Sequence, residues 1–369
     1  MLDVISELLA KEGIGLVCPV PLADCHITRP YLLERAGIAD GTVFLFAIPY
    51  LSPAADKSRN LSAYAVPRDY HAYLTELSER LLPILREKYP DERFALFGDH
   101  SPISELHAAA VSGLGVLGKN RMLITRLYSS FVFLAEIITS YRYDCHAVEP
   151  GTCMGCGRCT AACSYLGRGE GECLSALSQK KGTLTKEEED ALLFGGSVWG
   201  CDRCQEVCPY TDAARRAGTL YTTIPYFLTD TITHLTSEEV RAMPDDAFSH
   251  RAFAWRGKAT ILRNLMLFER AQACGTGNAD KNATGEENIA AGRQDAGMNE
   301  ETAVADGQDA AMNEETAAAG RQDAGTNEET AVTNRQDAAM NEETAGTDEE
   351  NAAAGGTSSD GGGKEHMPC

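Results

Sequence analysis

Eight of the chain's thirteen cysteines fall between Cys153 and Cys208. They read C-M-G-C-G-R-C-T-A-A-C at Cys153, Cys156, Cys159 and Cys163, then Cys173 alone, then C-D-R-C-Q-E-V-C-P at Cys201, Cys204 and Cys208. A C-x2-C-x2-C-x3-C run is the spacing at which bacterial iron–sulfur proteins hold [4Fe-4S] cubanes. Three close thiolates serve one cubane and the fourth cysteine serves the other. That rule sorts the ligands. One cluster takes Cys153, Cys156, Cys159 and Cys208; the second takes Cys163, Cys173, Cys201 and Cys204. Paired C-x2-C groups also hold zinc, but not as a run of this length followed by a second cysteine group. Disulfides need an oxidising compartment. The opening Met1-Leu2-Asp3-Val4 starts an amphipathic helix and not a secretory leader. Pro209 follows Cys208, whereas Ser164 follows Cys163, which changes a turn and not a ligand.

Charge divides the 369 residues unevenly. Beyond residue 274 stand 21 Asp and Glu against 5 Lys and Arg, so this tail carries −16 of the formal −21 and leaves −5 for residues 1–274. Every aromatic residue lies before 275. Within the tail Gln-Asp recurs at 294, 308, 322 and 336, each time followed by Asn-Glu-Glu-Thr-Ala, a period of 14. Solenoid units are usually longer, about 20 residues or more, and carry apolar faces. These offer mostly alanine, so 275–369 is expected to be disordered. No run of about 18 apolar residues predicts a membrane span. A chain so rich in thiols is expected in the cytoplasm.

Before the cysteines, apolar spacing predicts a helix over 1–12 closed by Gly13, and a short helix over Tyr31 to Ala36. Leu16 to Val20 and Thr42 to Ile48 read as buried strands. A long helix is expected over 67–89, kinked or split by Pro83. Phe94 to Phe97 reads as a strand delivering Gly98-Asp99-His100-Ser101-Pro102, with a helix over Ile103 to Ser112. Met122 to Thr125 and Ser130 to Thr139 read as hairpin strands. Further helices are expected at 186–194 and in two stretches of 236–273. The fold expected is α+β: an α/β-type domain over 1–148, a ferredoxin-like double-cluster domain over 149–274, and the tail over 275–369.

Gly113, Gly115 and Gly118 fit G-x-G-x-x-G, a dinucleotide-binding pattern when it follows a strand and opens a helix. Here a helix precedes it and strands follow, so that reading is weak. A different pattern is specific. R-D-Y-H at 68–71, G-D-H-S-P-I-S-E at 98–105, G-L-G-V-L-G-K-N at 113–120, F-V-F-L-A-E-I at 131–137 and G-C-D-R-C-Q-E-V-C-P at 200–209 occur in this order, with R-G-K-A-T-I-L-R-N at 256–264. The set resembles the epoxyqueuosine reductase family, from about residue 10 to 270.

The resemblance implies two [4Fe-4S] clusters, cobalamin between the two domains, tRNA as substrate and an external electron donor such as ferredoxin or flavodoxin. It implies that Asp99 is the acid supplying a proton, at a strand end where partial burial suits that role. An ordinary helix cap is the alternative for Asp99. Gly118 and Lys119 match the family's cobalamin-facing turn, and glycine there would let backbone approach a flat macrocycle. Ser62, Leu123, Leu134, Asp202 and Arg203 match other cofactor-lining positions. The family keeps cobalamin without a protein histidine on the metal, so His71 and His100 read as surface or capping residues. Cys18, Cys25, Cys145, Cys274 and Cys369 read as spare thiols.

Full-length family members usually carry a carboxy-terminal helical-repeat region that grips tRNA, and the acidic tail stands in its place. Phosphate binding needs Lys and Arg. Two other readings therefore stay open: a cobalamin and iron–sulfur reductase of small molecules, similar to reductive dehalogenases, or a ferredoxin-like electron carrier.

Overall fold

The structure is a computed structural model, and it describes residues 1–163, 165 and 173–273. The expected tail lies outside the described residues.

The fold is α+β. Its centre is a four-stranded sheet in the order β1-β2-β6-β3, formed by β1 (Val17–Pro21), β2 (Thr42–Pro49), β3 (Phe94–Phe97) and β6 (Val132–Thr139). Every pairing in it is antiparallel. All eight residues of β2 are buried. Side chains alternate across a strand, so a continuous apolar run is what a strand covered on both faces requires. Phe44, Phe46 and Ile48 pack with Ile5 and Leu9 of α1 (Leu2–Lys11) and with Tyr73, Leu77 and Leu81 of α3 (Tyr70–Lys88). Val43, Leu45 and Ala47 face the other way. There they meet Leu33 of α2 (Pro30–Ala36) and the Ala108–Val111 stretch of α4 (Glu105–Val111).

Two expectations change here. The helix over 67–89 is not split, because α3 runs through Pro83. The carbonyl that Pro83 leaves without a donor belongs to Glu79, and both residues are exposed, so water can replace the lost bond. The segments after the glycine turn do not pair as a hairpin. Leu123–Ile124 (β5) pairs with Val116–Leu117 (β4), while β6 enters the main sheet between β2 and β3. Ala135 and Ile137 join one core and Ile138 joins the other, a placement that only a central strand provides.

The cysteine-bearing half consists of short helices: α5 (Arg158–Ala162), α6 (Leu174–Ser178), α7 (Lys186–Gly195), α8 (Arg203–Glu206), α9 (Pro209–Arg216), α10 (Pro225–Leu228), α11 (Ser237–Ala242), α12 (Asp245–Ser249) and α13 (Lys258–Ala273). A Thr185–Glu188 capping box starts α7, so its two leading backbone donors are satisfied reciprocally. No break in packing marks residue 148. Trp199, Leu220 and Phe253 share a core with Tyr50, Leu61 and Phe131, and Phe227 packs with Phe44 and Tyr73. Ser62 N donates to Trp199 O at 2.9 Å, and Val198 N donates to Asn60 O at 2.8 Å. Among the described residues no helix is long and apolar enough to cross a membrane.

Candidate active site and thiol centres

Helix α3 leads away from the sheet end and β3 returns to it. The return places Asp99 beside the first turn of α3. Gly98 allows the approach, since a Cβ there would lie 2.5 Å from Leu74 Cδ1. Asp99 adopts φ +63°, the left-handed region that disfavours side chains, which marks it as held by its surroundings. One restraint is its own N–H, which donates to Glu105 Oε1 at 3.0 Å. Asp99 does not cap α4; Ser104 occupies that position.

His71 stands between two carboxylates. Its Nδ1 is 2.6 Å from Asp69 Oδ1 and its Nε2 is 3.2 Å from Asp99 Oδ2. Asp69 also caps α3, accepting from His71 N at 2.8 Å. Burial works against the His71 cation, but hydrogen bonds and charge from Asp69 and Asp99 outweigh it and raise its pKa to about 9. His71 is therefore more than the surface or capping residue the sequence suggests. The signal available was R-D-Y-H, which sets an aspartate two residues before it at a helix start. His100 stays exposed, 3.0 Å from Tyr31 Oη.

The eight cysteines fall into two groups. Cys153, Cys156, Cys159 and Cys208 line one cavity together with Lys119, Asn120, Met154 and Tyr210. Gly155 and Gly157 have φ +69° and +78°, which curls the C-M-G-C-G-R-C loop around that cavity. Cys208 sits at the start of α9; burial pushes its thiol up, partly opposed by hydrogen bonds from the backbone of Tyr210 and Thr211. Around Cys204 the neighbouring thiols are Cys201, Cys173 and Cys163. Burial first, and then neighbouring charges, push the Cys201 and Cys204 thiols up to about 12. Buried thiols of this kind ionise when metal ions supply positive charge. All eight are free of disulfides. Among the described residues no three His, Cys, Asp or Glu side chains close on a single ion. A cubane asks for something else, since its thiolates reach four separate irons, and the two fourfold groups fit it.

The Gly118–Arg121 turn touches both groups. Lys119 N donates to Cys153 Sγ at 3.4 Å, and the Asn120 side chain hydrogen-bonds Cys204. The turn connects the two strands of a small ribbon and opens no helix, which removes the dinucleotide reading. Its glycines have an internal cause. A Cβ on Gly115 would lie 2.7 Å from Ile124 O, and one on Gly118 would lie 2.2 Å from Asn120 Oδ1.

The positions expected to line cobalamin divide. Ser62 and Asp202 are buried and satisfy each other: Ser62 Oγ donates to Asp202 Oδ1 at 2.6 Å, while Ala63 N and Arg59 Nη2 reach Asp202 Oδ2 at 2.7 and 3.1 Å. Leu123 is buried in the core. Arg203 is held by Ala162 O at 3.0 Å and lies over the Phe194 ring. Gly118, Lys119, Leu134 and Arg203 keep surface that a ligand can meet.

One packed path joins the acid end to the thiol end. Tyr70 stacks on Phe133 at 4.0 Å, Phe133 meets Tyr50 at 4.6 Å, and Tyr50 Oη donates to Gln205 Oε1 at 3.4 Å, beside Cys204.

Comparison with known proteins gives one consistent result. No protein-family model matches the chain. It is similar to an epoxyqueuosine reductase of Bacillus subtilis at 31% identity over 281 residues, 71% of this chain and 70% of that protein. A Listeria monocytogenes epoxyqueuosine reductase is 33% identical over 210 residues, which span 54% of each chain. The match therefore spans about half of that relative's length. Among solved structures, epoxyqueuosine reductase from Streptococcus thermophilus shares the fold with a TM-score of 0.59 at 22% identity, over 80% of this chain and 86% of that one. An epoxyqueuosine reductase solved with an epoxyqueuosine-modified tRNA-Tyr stem loop gives a TM-score of 0.56 at 24% identity, over 72% and 80%.

Proposed function

Because the chain belongs to the epoxyqueuosine reductase family, we propose that it reduces the epoxide of epoxyqueuosine in tRNA to queuosine. A relative solved with a modified tRNA stem loop supports that substrate. The observation that carries the reading is the pairing of Asp99 with His71 at 3.2 Å, next to the ring-packed path Tyr70–Phe133–Tyr50–Gln205 that leads towards the thiols. An electron carrier would need no such acid.

The reaction removes one oxygen as water and consumes two electrons and two protons. Two [4Fe-4S] clusters, fed by an external donor such as ferredoxin or flavodoxin, and a cobalamin would supply the electrons. Cys153, Cys156, Cys159 and Cys208 would hold one cluster; Cys163, Cys173, Cys201 and Cys204 would hold the other. The cobalamin reading rests on the motif resemblance, and Gly118, Lys119, Leu134 and Arg203 are the residues that keep surface open to it.

The chain's own contribution is the proton. His71, 3.2 Å away and protonated up to about pH 9, passes a proton to Asp99, which delivers it to the departing epoxide oxygen. Asp69 fixes the ring. A Bacillus subtilis epoxyqueuosine reductase has been solved with an aspartate catalytic loop swung out of its active site. Under this reading the left-handed, tethered Asp99 loop would play that part here.

The test is mass spectrometry of tRNA digests from a strain lacking the protein. Epoxyqueuosine should accumulate, and the wild-type gene should clear it where Asp99→Asn should not. Unchanged queuosine in the deletion strain would refute the substrate.

A further inference from the structure

Glu136 lies in the middle of β6, opposite Leu45 of β2 and Phe97 of β3. Its side chain is 0% exposed. A carboxylate in such a place is costly unless several donors meet it. Glu136 has one ordinary donor: Ser101 Oγ hydrogen-bonds Oε1. Oε2 has none. Its remaining hydrogen-bonding neighbour is another carboxyl group, Glu105 at the start of α4. Two carboxyl groups can share a hydrogen bond only if one of them keeps a proton.

The far side of Glu105 holds the acid loop, since Glu105 Oε1 accepts from Asp99 N at 3.0 Å. Ser101, the other partner of Glu136, belongs to the same loop and accepts from Ile103 N at 3.2 Å. Glu136 thus ties the central strand to the loop through Ser101, and Glu105 ties α4 to the same loop at Asp99 N. We infer that Glu136 is a protonated positioning residue, whose shared proton with Glu105 latches the Asp99 loop in place and whose loss at higher pH releases it.

The surroundings agree. Burial pushes the Glu136 carboxyl up to about 7, against the opposing hydrogen bonds of Ser101 and Glu105. Two other titratable groups face it. Cys25, after β1, is pushed up to about 12 by burial and then by the Glu136 charge. Tyr70, on α3, is raised well above the ordinary phenol range by burial and then by Asp99, Glu105, Asp69 and Glu136. Both are neutral near pH 7, so neither supplies a cation; the charged group nearby is Arg29, whose Nη1 donates to Ser101 O at 2.9 Å.

The inference deepens the proposed proton-donor role of Asp99 and rests on it for its catalytic meaning. The experiment is hydrogen–deuterium exchange of the full-length holoprotein, reading peptides that cover residues 98–104 below and above about pH 7. Corrected for intrinsic exchange, wild-type protection should fall several-fold as pH rises through that value. Glu136→Gln, whose amide donates to Glu105 at every pH, should give a flat profile and should remove the corresponding limb from kcat while leaving KM unchanged. Flat wild-type protection, or a wild-type profile in Glu136→Gln, overturns the inference. If Glu136→Gln does not fold, Glu105→Gln decides in the same way. Exchange needs no substrate. A pH-gated loop in a protein without epoxide reduction would therefore sink the proposed reaction and keep the latch.

Discussion

His71 and Asp99 meet at 3.2 Å although 28 residues separate them. With Asp69 on its other nitrogen, the imidazole faces a carboxylate on each side. It can donate to both only when doubly protonated. A neutral histidine would leave one carboxylate facing a lone pair. The contact therefore stores a proton beside the group proposed to deliver it.

Asp99→Asn should keep both proposed clusters and lower kcat by about 10²- to 10⁴-fold, the usual contribution of a positioned general acid. His71→Gln should lower it less, because Asp99 can still take protons from water. Single-turnover reduction of a modified stem loop, with iron content as control, checks both. Full activity in Asp99→Asn would leave Asp99 with only a structural role.

The same contact predicts a pH effect on stability. The folded state raises the His71 pKa, so the pairing stabilises fully below the ordinary histidine value of about 6.5. That stabilisation is lost as pH rises through about 9. The side chain is 52% exposed, so salt should weaken the effect. Thermal unfolding of wild type and His71→Gln should differ most at low pH and converge above that window. A constant difference would assign it to packing.

How much of this was legible before the structure depends on range. The strand Thr42–Pro49 announces itself by a continuous apolar run, and Gly37 by ending a short amphipathic pattern. The cysteine groups follow from spacing alone. Long-range pairing does not. Met122 to Thr125 and β6 are sequence neighbours, so a hairpin is the cheapest local guess, yet burial on two faces draws β6 into the sheet. The internal engagement of Ser62 with Asp202 joins residues 140 apart, and no local pattern reports it. Glu136 reads as an acid within a strand motif, and only its total burial shows that it needs a proton.

Cys208 lies far in sequence from Cys153, Cys156 and Cys159 but lines the same cavity. Cys208→Ser should therefore remove about half of the iron, because one cubane of two loses a ligand. Cys173→Ser should remove the other half. Iron analysis and electron paramagnetic resonance of reduced protein distinguish the two clusters. Loss of the same cluster in both variants would show that the sorting is wrong.

Asn120 offers a sharper test of the turn between the two centres. It is 7% exposed, its Oδ1 accepts from Met122 N at 3.3 Å, and its side chain hydrogen-bonds Cys204. Hydrogen bonds to cluster sulfurs stabilise the more negative, reduced state and so raise the reduction potential. Asn120→Ala removes the donor and should move the potential of the Cys204 cluster downwards. Asn120→Asp keeps the shape and the Met122 contact but puts negative charge at the sulfur, so its shift should be larger in the same direction. The cluster proposed at Cys153 would draw its donor from Lys119 backbone, which neither substitution removes, and should move less. Redox titration monitored by electron paramagnetic resonance reads both potentials in one sample. Equal shifts at the two clusters would mean that the turn itself had rearranged. No shift at either would deny Asn120 any influence on the cluster.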